Sequence, residues 1–535
     1  MRRVLFSLVA LFAALPVSAS VSKTCEVCVY GGSASGVCAS IEAARMGVKV
    51  LLLCQDSHVG GMATSGLTAT DINKHRVVGG IAEEFYKRIY SYYLDDSAWF
   101  NQSREEFMES TRKRTYSGKN DARKMQWVYE SGVAERIMKE MLAEAGVEVL
   151  YNSPISLTDG VELKKSRIKS IRTENGLRIR AKVFIDASYE GDLMAQAGVS
   201  YLIGREPISK YGESLAGIRN HGMIKGSAYL ADGRLIPKLA PSLYGEFGEG
   251  DNRTQAYCYR VTLTDDPNNM IPLRKPEGYD PDMFEMILRR IEAEEKKELK
   301  DVITFTPMPN RKTDTNHLDY FGASFDYPEG DYKRRKEIAA EHRLYAEGML
   351  WFLGHDERVP ENMRQEMARW GWAKDEFIDN SSFPHQIYVR ESRRMQGEYI
   401  MTQHNIEGKR NEEITHPAGM GSYPMDCHFV SYIAQGDSIM IEGGIFVPTK
   451  PYQIDYGALI PKEEECTNLL VPVCLSASHV AYASIRMEPV YMVLGQSCGT
   501  AAAMAIQSKC PVQKIDRDSL VARLKADGQI LEYKH

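Results

Sequence analysis

A chain of 535 residues is too long for a single core, and at ~150 residues per domain it implies two to four lobes. A formal net charge of −6 at pH 7 with no long run of one sign gives no footprint for nucleic acid or anionic lipid, so the expected partner is a small-molecule substrate. The ten cysteines show one C-x-x-C pair, Cys25 and Cys28, and no second pair at metal spacing, so no metal site is expected.

Met1–Ala19 carries Arg2 and Arg3, an apolar stretch Val4–Val17 and a Val17-Ser18-Ala19 ending, the three regions of a signal peptide. The expectation is export to the periplasm or the extracellular space, by the general route or, from the Arg2-Arg3 pair, by the twin-arginine route. No later run reaches the ~18–20 apolar residues of a membrane span.

The stretch Cys28–Cys54 then predicts a βαβ unit. Val27–Tyr30 is a short strand, and Gly31-Gly32-Ser33-Ala34-Ser35-Gly36 turns sharply with no Cβ in the way. A small-residue helix follows from about Ser35 to Met46, stops at Gly47, and Val48–Leu53 returns as a parallel strand. The turn and the helix N-terminus suit a pyrophosphate. Ser33 replaces the middle glycine of G-x-G-x-x-G, and Cys54 replaces the acid that meets a ribose hydroxyl, leaving Gln55 as the candidate there.

Gly60-Gly61-Met62-Ala63-Thr64-Ser65-Gly66 is a second glycine-rich loop, suited to bring backbone N–H groups to a cofactor's far end. Helical spacing predicts helices over Ile81–Tyr93 and Gly132–Ala145, the latter running into a strand Val147–Tyr151; Trp99–Lys124 shows no periodicity. Leu177–Ile185 reads as a strand delivering Asp186-Ala187-Ser188-Tyr189-Glu190-Gly191-Asp192 to the carboxyl edge of the sheet. From Gly204 to about Glu465 the composition shifts toward Pro, Tyr, Arg and Asp, with helices expected at Met283–Leu299 and Tyr332–Phe352. Leu469–Cys474 restores the strand pattern, and Pro489–Ile506 is a small-residue helix that either approaches a planar ring or packs tightly on another helix. The expected division is a signal peptide (1–19), a dinucleotide-binding domain (25–203), an inserted substrate or cap domain (204–465), the returning part of the first domain (466–510) and a tail (511–535). The fold class is α/β: a Rossmann-like domain assembled from N-terminal, middle and C-terminal segments, with an α+β insertion.

Taken in order, Tyr30–Gly36, His58-Val59-Gly60-Gly61-Met62, Asp186–Asp192 and Ser484-Ile485-Arg486-Met487-Glu488-Pro489 resemble the FAD-dependent oxidoreductases related to the flavin subunit of heterodisulfide reductase. Tyr388–Arg394 and Gly421–Asp426 extend the likeness through the middle of the chain. The resemblance implies non-covalent FAD, with its pyrophosphate over Gly31, Gly32, Ser33, Ala34, Ser35 and Gly36 and its flavin end near Gly60, Gly61, Met62, Thr64 and Ser65. Asp192, Arg486, Gly495, Gly499 and Thr500 would meet the ribityl chain and ring. Relatives also bind [4Fe–4S] clusters through cysteine runs, but this chain has no such run and that cofactor is not carried over.

Oxidation of a C–H bond by a flavin requires hydride delivery to N5 and a base for the proton. His428 is the candidate base or a structural histidine; Arg390, Glu391, Arg393 and Arg394 are either a substrate clamp or an interdomain ion network. His479 and Arg486 are candidates to hold phosphate or flavin oxygen. The expectation is an exported FAD-dependent oxidoreductase transferring a hydride between flavin N5 and a small polar substrate, a carbohydrate or sugar acid first, with Trp351, Trp370 and Trp372 as possible sugar platforms. The alternatives are a polysaccharide or uronide lyase with structural FAD and a non-catalytic flavin- or sugar-binding protein.

Overall fold

The computed structural model describes residues 22–73, 75–111, 122–409 and 414–533; the expected signal peptide lies outside the described residues. The first elements are β1 (Ser22–Thr24), β2 (Val27–Tyr30), α1 (Ala34–Arg45) and β3 (Val50–Leu53). β2 and β3 pair in parallel from Val27↔Val50 to Tyr30↔Leu53, and every residue of both is buried, as strands covered on two faces must be. Next come α2 (Gly80–Tyr92), α3 (Arg104–Ser110), α4 (Ser131–Glu144) and β4 (Glu148–Leu150). α3 falls where no periodicity was read. It is fixed by a capping box, the Ser103 hydroxyl accepting from the Glu106 amide while the Glu106 carboxylate accepts from the Ser103 amide.

β5 (Val161–Leu163), β6 (Ile168–Arg172), β7 (Arg178–Arg180), β8 (Val183–Asp186) and α5 (Asp192–Gln196) follow. The single strand expected over Leu177–Ile185 is therefore two. β7 joins a sheet ordered β1-β7-β6-β5, whereas β8 enters the central parallel sheet beside β2. The amides of Lys182 and Val183 both donate to Glu26 O, at 3.0 and 3.1 Å, which bends the chain from one sheet to the other. The central sheet runs, edge to edge, Leu469–Leu470, β8, β2, β3, β4, so the C-terminal segment returns to it as an edge strand. Only two of the expected Leu469–Cys474 residues pair there.

In the inserted region, five antiparallel strands (Val261–Thr264, Met270–Pro272, Thr304–Met308, Lys312–Asn316 and Gly371–Ala373) form one sheet, and helix Tyr332–His355 is its longest helix. The helix expected to reach Leu299 ends at Ala293, before Glu295 turns to φ 48°. One hydrophobic cluster contains Val29 and Ala501 of the first region together with Val261 and Leu350 of the insertion, so the two are packed as a unit. The segment expected as a tail contains helix Arg517–Ala526. Among the described residues no helix is long and apolar enough to cross a membrane.

Candidate functional site

The turn between β2 and α1 is built as its sequence requires. Gly31 takes φ +108° with its amide on Leu53 O at 2.9 Å, and a Cβ there would lie 2.5 Å from the Ala187 carbonyl carbon. Ser33 caps α1 through Gly36 N, 3.2 Å, and donates to Ala187 O, 2.7 Å, tying the turn to the end of β8. No acid lies in the first turn of α1, which leaves its positive end free for an anion. A small cavity at this point is lined by Gly32, Ser33, Gln55, His58, Gly61, Thr64, Ser65 and Tyr189, so the two glycine-rich loops and Gln55 share one groove. Gln55 donates to Glu190 at 3.1 Å and also borders an adjoining cavity of about 520 Å³. Met62 is buried beside the groove, its amide donating to the Tyr189 hydroxyl at 3.0 Å, and that hydroxyl donates to Glu488 at 2.8 Å.

The last long helix, Glu488–Ser508, starts next to Arg486. Arg486 is buried, with Tyr388 Oη at 2.8 Å and Asp426 O at 2.7 Å, while its Nε has no acceptor. Burial pushes the Glu488 carboxyl up to about 8, and its Oε2 is unpartnered. A bare helix end at one site and an orphaned donor and carboxyl oxygen at the other fit a long ligand with an anionic middle and a polar ring edge, which is the character of FAD.

Four of the expected cofactor contacts are corrected. Gly495 and Gly499 lie two and three turns inside the helix, Gly495 ~10 Å from its first residue at 1.5 Å per residue. Cβ atoms there would come within 2.2 Å of Ser35 O and 2.5 Å of Ala39 O, so both glycines serve the close crossing with α1. Thr500 donates within the same crossing, to Glu42 at 3.2 Å. Asp192 is held by Arg335 through two bonds of 2.6 and 2.8 Å and by Arg393 at 2.8 Å, a buried ion triad.

The Arg390–Arg394 cluster divides. Arg394 is fully enclosed by Glu391, Glu206 (2.8 Å) and the carbonyls of Gly204 and Ala477. Glu391 also meets His479 Nδ1 at 2.9 Å, and His479 Nε2 lies 3.4 Å from Cys427 Sγ. These residues bury charge against charge and border none of the cavities described, so the clamp is corrected to an interior network for Glu391 and Arg394, and His479 is enclosed with them. Arg390 differs: it pairs with Asp319 at 2.8 Å, and Asp319 Oδ2 meets His428 Nδ1 at 2.6 Å. Despite burial, the Arg390 guanidinium and the His428 ring hold the Asp319 carboxyl well below the usual carboxylate range.

His428 and Asp319 line a cavity of about 330 Å³ with His317, Tyr423, Asp426, Phe321, Tyr345, Phe429 and Tyr432. Such a volume, apolar walls and a convergent polar end are the features of a small-molecule site. Burial lowers the His317 imidazole to about 4. Asp426 connects this cavity to Arg486, and thus to the start of the last helix. None of the expected tryptophan platforms borders it: Trp351 stacks on His355, Trp370 on Phe305, and Trp372 packs edge-on to Phe383. Asp319, lying 109 residues from His428, carried no motif that would have singled it out.

The sequence matches the family described as FAD dependent oxidoreductase over residues 26–524. The chain belongs to that family. No curated protein matches it. Among solved structures, this FAD dependent oxidoreductase is similar to OxyS anhydrotetracycline hydroxylase from Streptomyces rimosus at 12% identity, covering 35% of this chain and 36% of that one, TM-score 0.22. It is similar to L-amino acid deaminase from Proteus vulgaris at 15% identity, 41% of this chain and 56% of that one, TM-score 0.23. With L-proline dehydrogenase from P. horikoshii the identity is 15%, over 43% of this chain and 69% of that one, TM-score 0.24. The chain thus spans about a third to just over half of the first two relatives, and overlaps this partial carry no argument about substrate.

Proposed function

We propose that the FAD dependent oxidoreductase binds a small substrate in the cavity under His428 and transfers a hydride between a substrate carbon and flavin N5, with His428 exchanging the accompanying proton. The observation that carries this reading is the Arg390–Asp319–His428 chain, at 2.8 and 2.6 Å, ending on a cavity that meets the last helix through Asp426 and Arg486. An ionised Asp319 only accepts hydrogen bonds, so Nδ1 carries the ring proton and Nε2 is left as the base. FAD, when bound, supplies the hydride acceptor or donor. Gly31–Gly36 and α1 would hold its pyrophosphate, Gln55 its ribose, Gly61, Thr64 and Ser65 its flavin end, and Arg486 a ring oxygen. We read the attachment as non-covalent, and acid precipitation should release the flavin into solution.

The finer reading is an exported enzyme acting on a carbohydrate or sugar acid. It is supported by the Met1–Ala19 pattern and by Arg290 and Lys296 on the cavity wall, cations that Glu294 engages at 2.8 and 3.1 Å and that a substrate carboxylate would have to share. The test is anaerobic absorbance of the purified protein while sugars, uronic acids and small carboxylates are added. Bleaching of the flavin by one compound supports hydride transfer. An unsaturated uronide formed without bleaching would assign a lyase, and binding without either change would assign a non-catalytic protein. With a bleaching substrate, His428→Gln should slow flavin reduction by ~10²–10⁴-fold; an unchanged rate would remove His428 from the chemistry.

A further inference from the structure

His58, Asp379 and His385 meet beside the dinucleotide groove, although 321 positions separate His58 from Asp379 and no spacing pattern connects them. One ligand-type atom from each lies within 4.8 Å of the others. The two imidazole rings stack face to face, with centroids 3.5 Å apart and planes at 16°. Their Nε2 atoms converge on one carboxylate: His58 Nε2 is 3.2 Å from Asp379 Oδ2, and His385 Nε2 is 3.2 Å from Asp379 Oδ1. Behind His58, its Nδ1 faces Glu135 Oε1 at 3.1 Å.

We propose that His58, His385 and Asp379 bind a divalent transition-metal ion of the zinc class, with Glu135 as a positioning residue. Two imidazoles and a carboxylate are a donor set of intermediate softness, suited to Zn²⁺ and its neighbours rather than to Mg²⁺ or Ca²⁺. A carboxylate behind a metal-bound imidazole fixes the ring and its tautomer, directing the lone pair of the other nitrogen toward the ion. Glu135 stands in that relation to His58, and it is anchored in turn by Lys139 at 2.8 Å. Asp379 lies in a single 3-10 turn, Ile378–Asn380, flanked by Phe377, Ser381 and Ser382, which all take positive φ, and its side chain is 56% exposed. That exposure lets it draw in to the ~2.0–2.2 Å of a metal–oxygen bond without disturbing a packed core. Three protein ligands leave a fourth position. His58 and His385 border the same cavity as Gly32 and Ser33, so an oxygen ligand in the groove, water or phosphate, can complete the shell.

The test uses the full, tag-free protein with its flavin content recorded, so that metal uptake is read independently of flavin chemistry. After chelation and dialysis it is titrated with Zn²⁺ by calorimetry, with metal per chain from elemental analysis. The expected result is one Zn²⁺ per chain, weakened at least ~10-fold by Asp379→Ala and by His385→Ala, and ~10–100-fold by Glu135→Gln. His355→Ala, at the end of helix Tyr332–His355, should bind as the parent does. Absence of stoichiometric uptake, or uptake unchanged in both Asp379→Ala and His385→Ala, would overturn the site. Asp379→Ala keeps the test decisive, because an exposed turn side chain is dispensable for folding.

Discussion

Glu488 shows how one buried carboxyl ties the site to stability. Its folded value of about 8 stands above the ordinary 4.5, and desolvation is the main cause, opposed by the bond from Tyr189. A group raised in the folded state favours folding fully below its unfolded pKa, and that contribution is lost as pH climbs toward the folded value. For flavin-free protein, stability should therefore fall between about pH 4.5 and about pH 8 and flatten beyond. Glu488→Gln should remove this slope, so its melting temperature relative to the parent rises across that window; parallel curves would show that Glu488 does not titrate there. His479 behaves with the same sign at higher pH. Glu391 and Cys427 overcome its desolvation and raise it from 6.5 to about 10, so the stabilisation from the His479–Glu391 pair is full below about pH 6.5 and is lost progressively as pH climbs to about 10. The base expected from sequence, His428, does lie on a cavity, because its loop position leaves one ring edge exposed there. Its partner Asp319 was not legible, since an aspartate before a tyrosine carries no local signal.

Among elements, the crossing of α1 with the Glu488–Ser508 helix is the decisive contact. Ala39, Ala43, Gly495 and Gly499 were readable as small residues, but whether they faced a ring or another helix depended on where the last helix begins. It begins at Glu488, and Gly495 meets the backbone of Ser35 directly. Gly495→Ala should destabilise the fold by ~1–3 kcal/mol through forced separation of the helices. Flavin content should fall with it, because Ser35 lies in the first turn of α1, at the helix end that would hold the pyrophosphate. Denaturant unfolding together with a flavin-to-protein absorbance ratio checks both; a stable, flavin-loaded variant would contradict the close crossing. The split between β7 and β8 was missed for a related reason. A continuous alternating run has no internal mark where Glu26, in the bend between β1 and β2, captures two successive amides.

At the scale of the molecule, the insertion and the dinucleotide region are joined by buried charge as well as by a shared core. Lys312, on the antiparallel sheet, meets Glu130 at the start of α4 at 2.7 Å, and Asp375 and Glu376 at 2.7 and 3.0 Å. The three carboxylates raise the ammonium well above the ordinary lysine range. Lys312→Met should cost ~3–5 kcal/mol, since it leaves buried carboxylates without a counter-charge. Loss of that size in chemical denaturation, with both regions still unfolding together, is the expected outcome. Unchanged stability would mean the regions are held by apolar contact alone.

The βαβ unit, the second glycine-rich loop, the long helices and the family itself follow from local pattern: periodicity, glycines where φ must be positive, and short motifs in a fixed order. Such features depend on residues close in sequence, so the chain states them directly. The Arg390–Asp319–His428 chain, the enclosure of Arg394 and Glu391, the ion triad on Asp192 and the meeting of His58 with Asp379 and His385 depend on packing between distant segments. A charged or imidazole side chain reads the same in sequence whether it faces a cavity or a buried counter-ion. Its neighbours across the fold fix its role, because desolvation and partner charge are properties of a place in space.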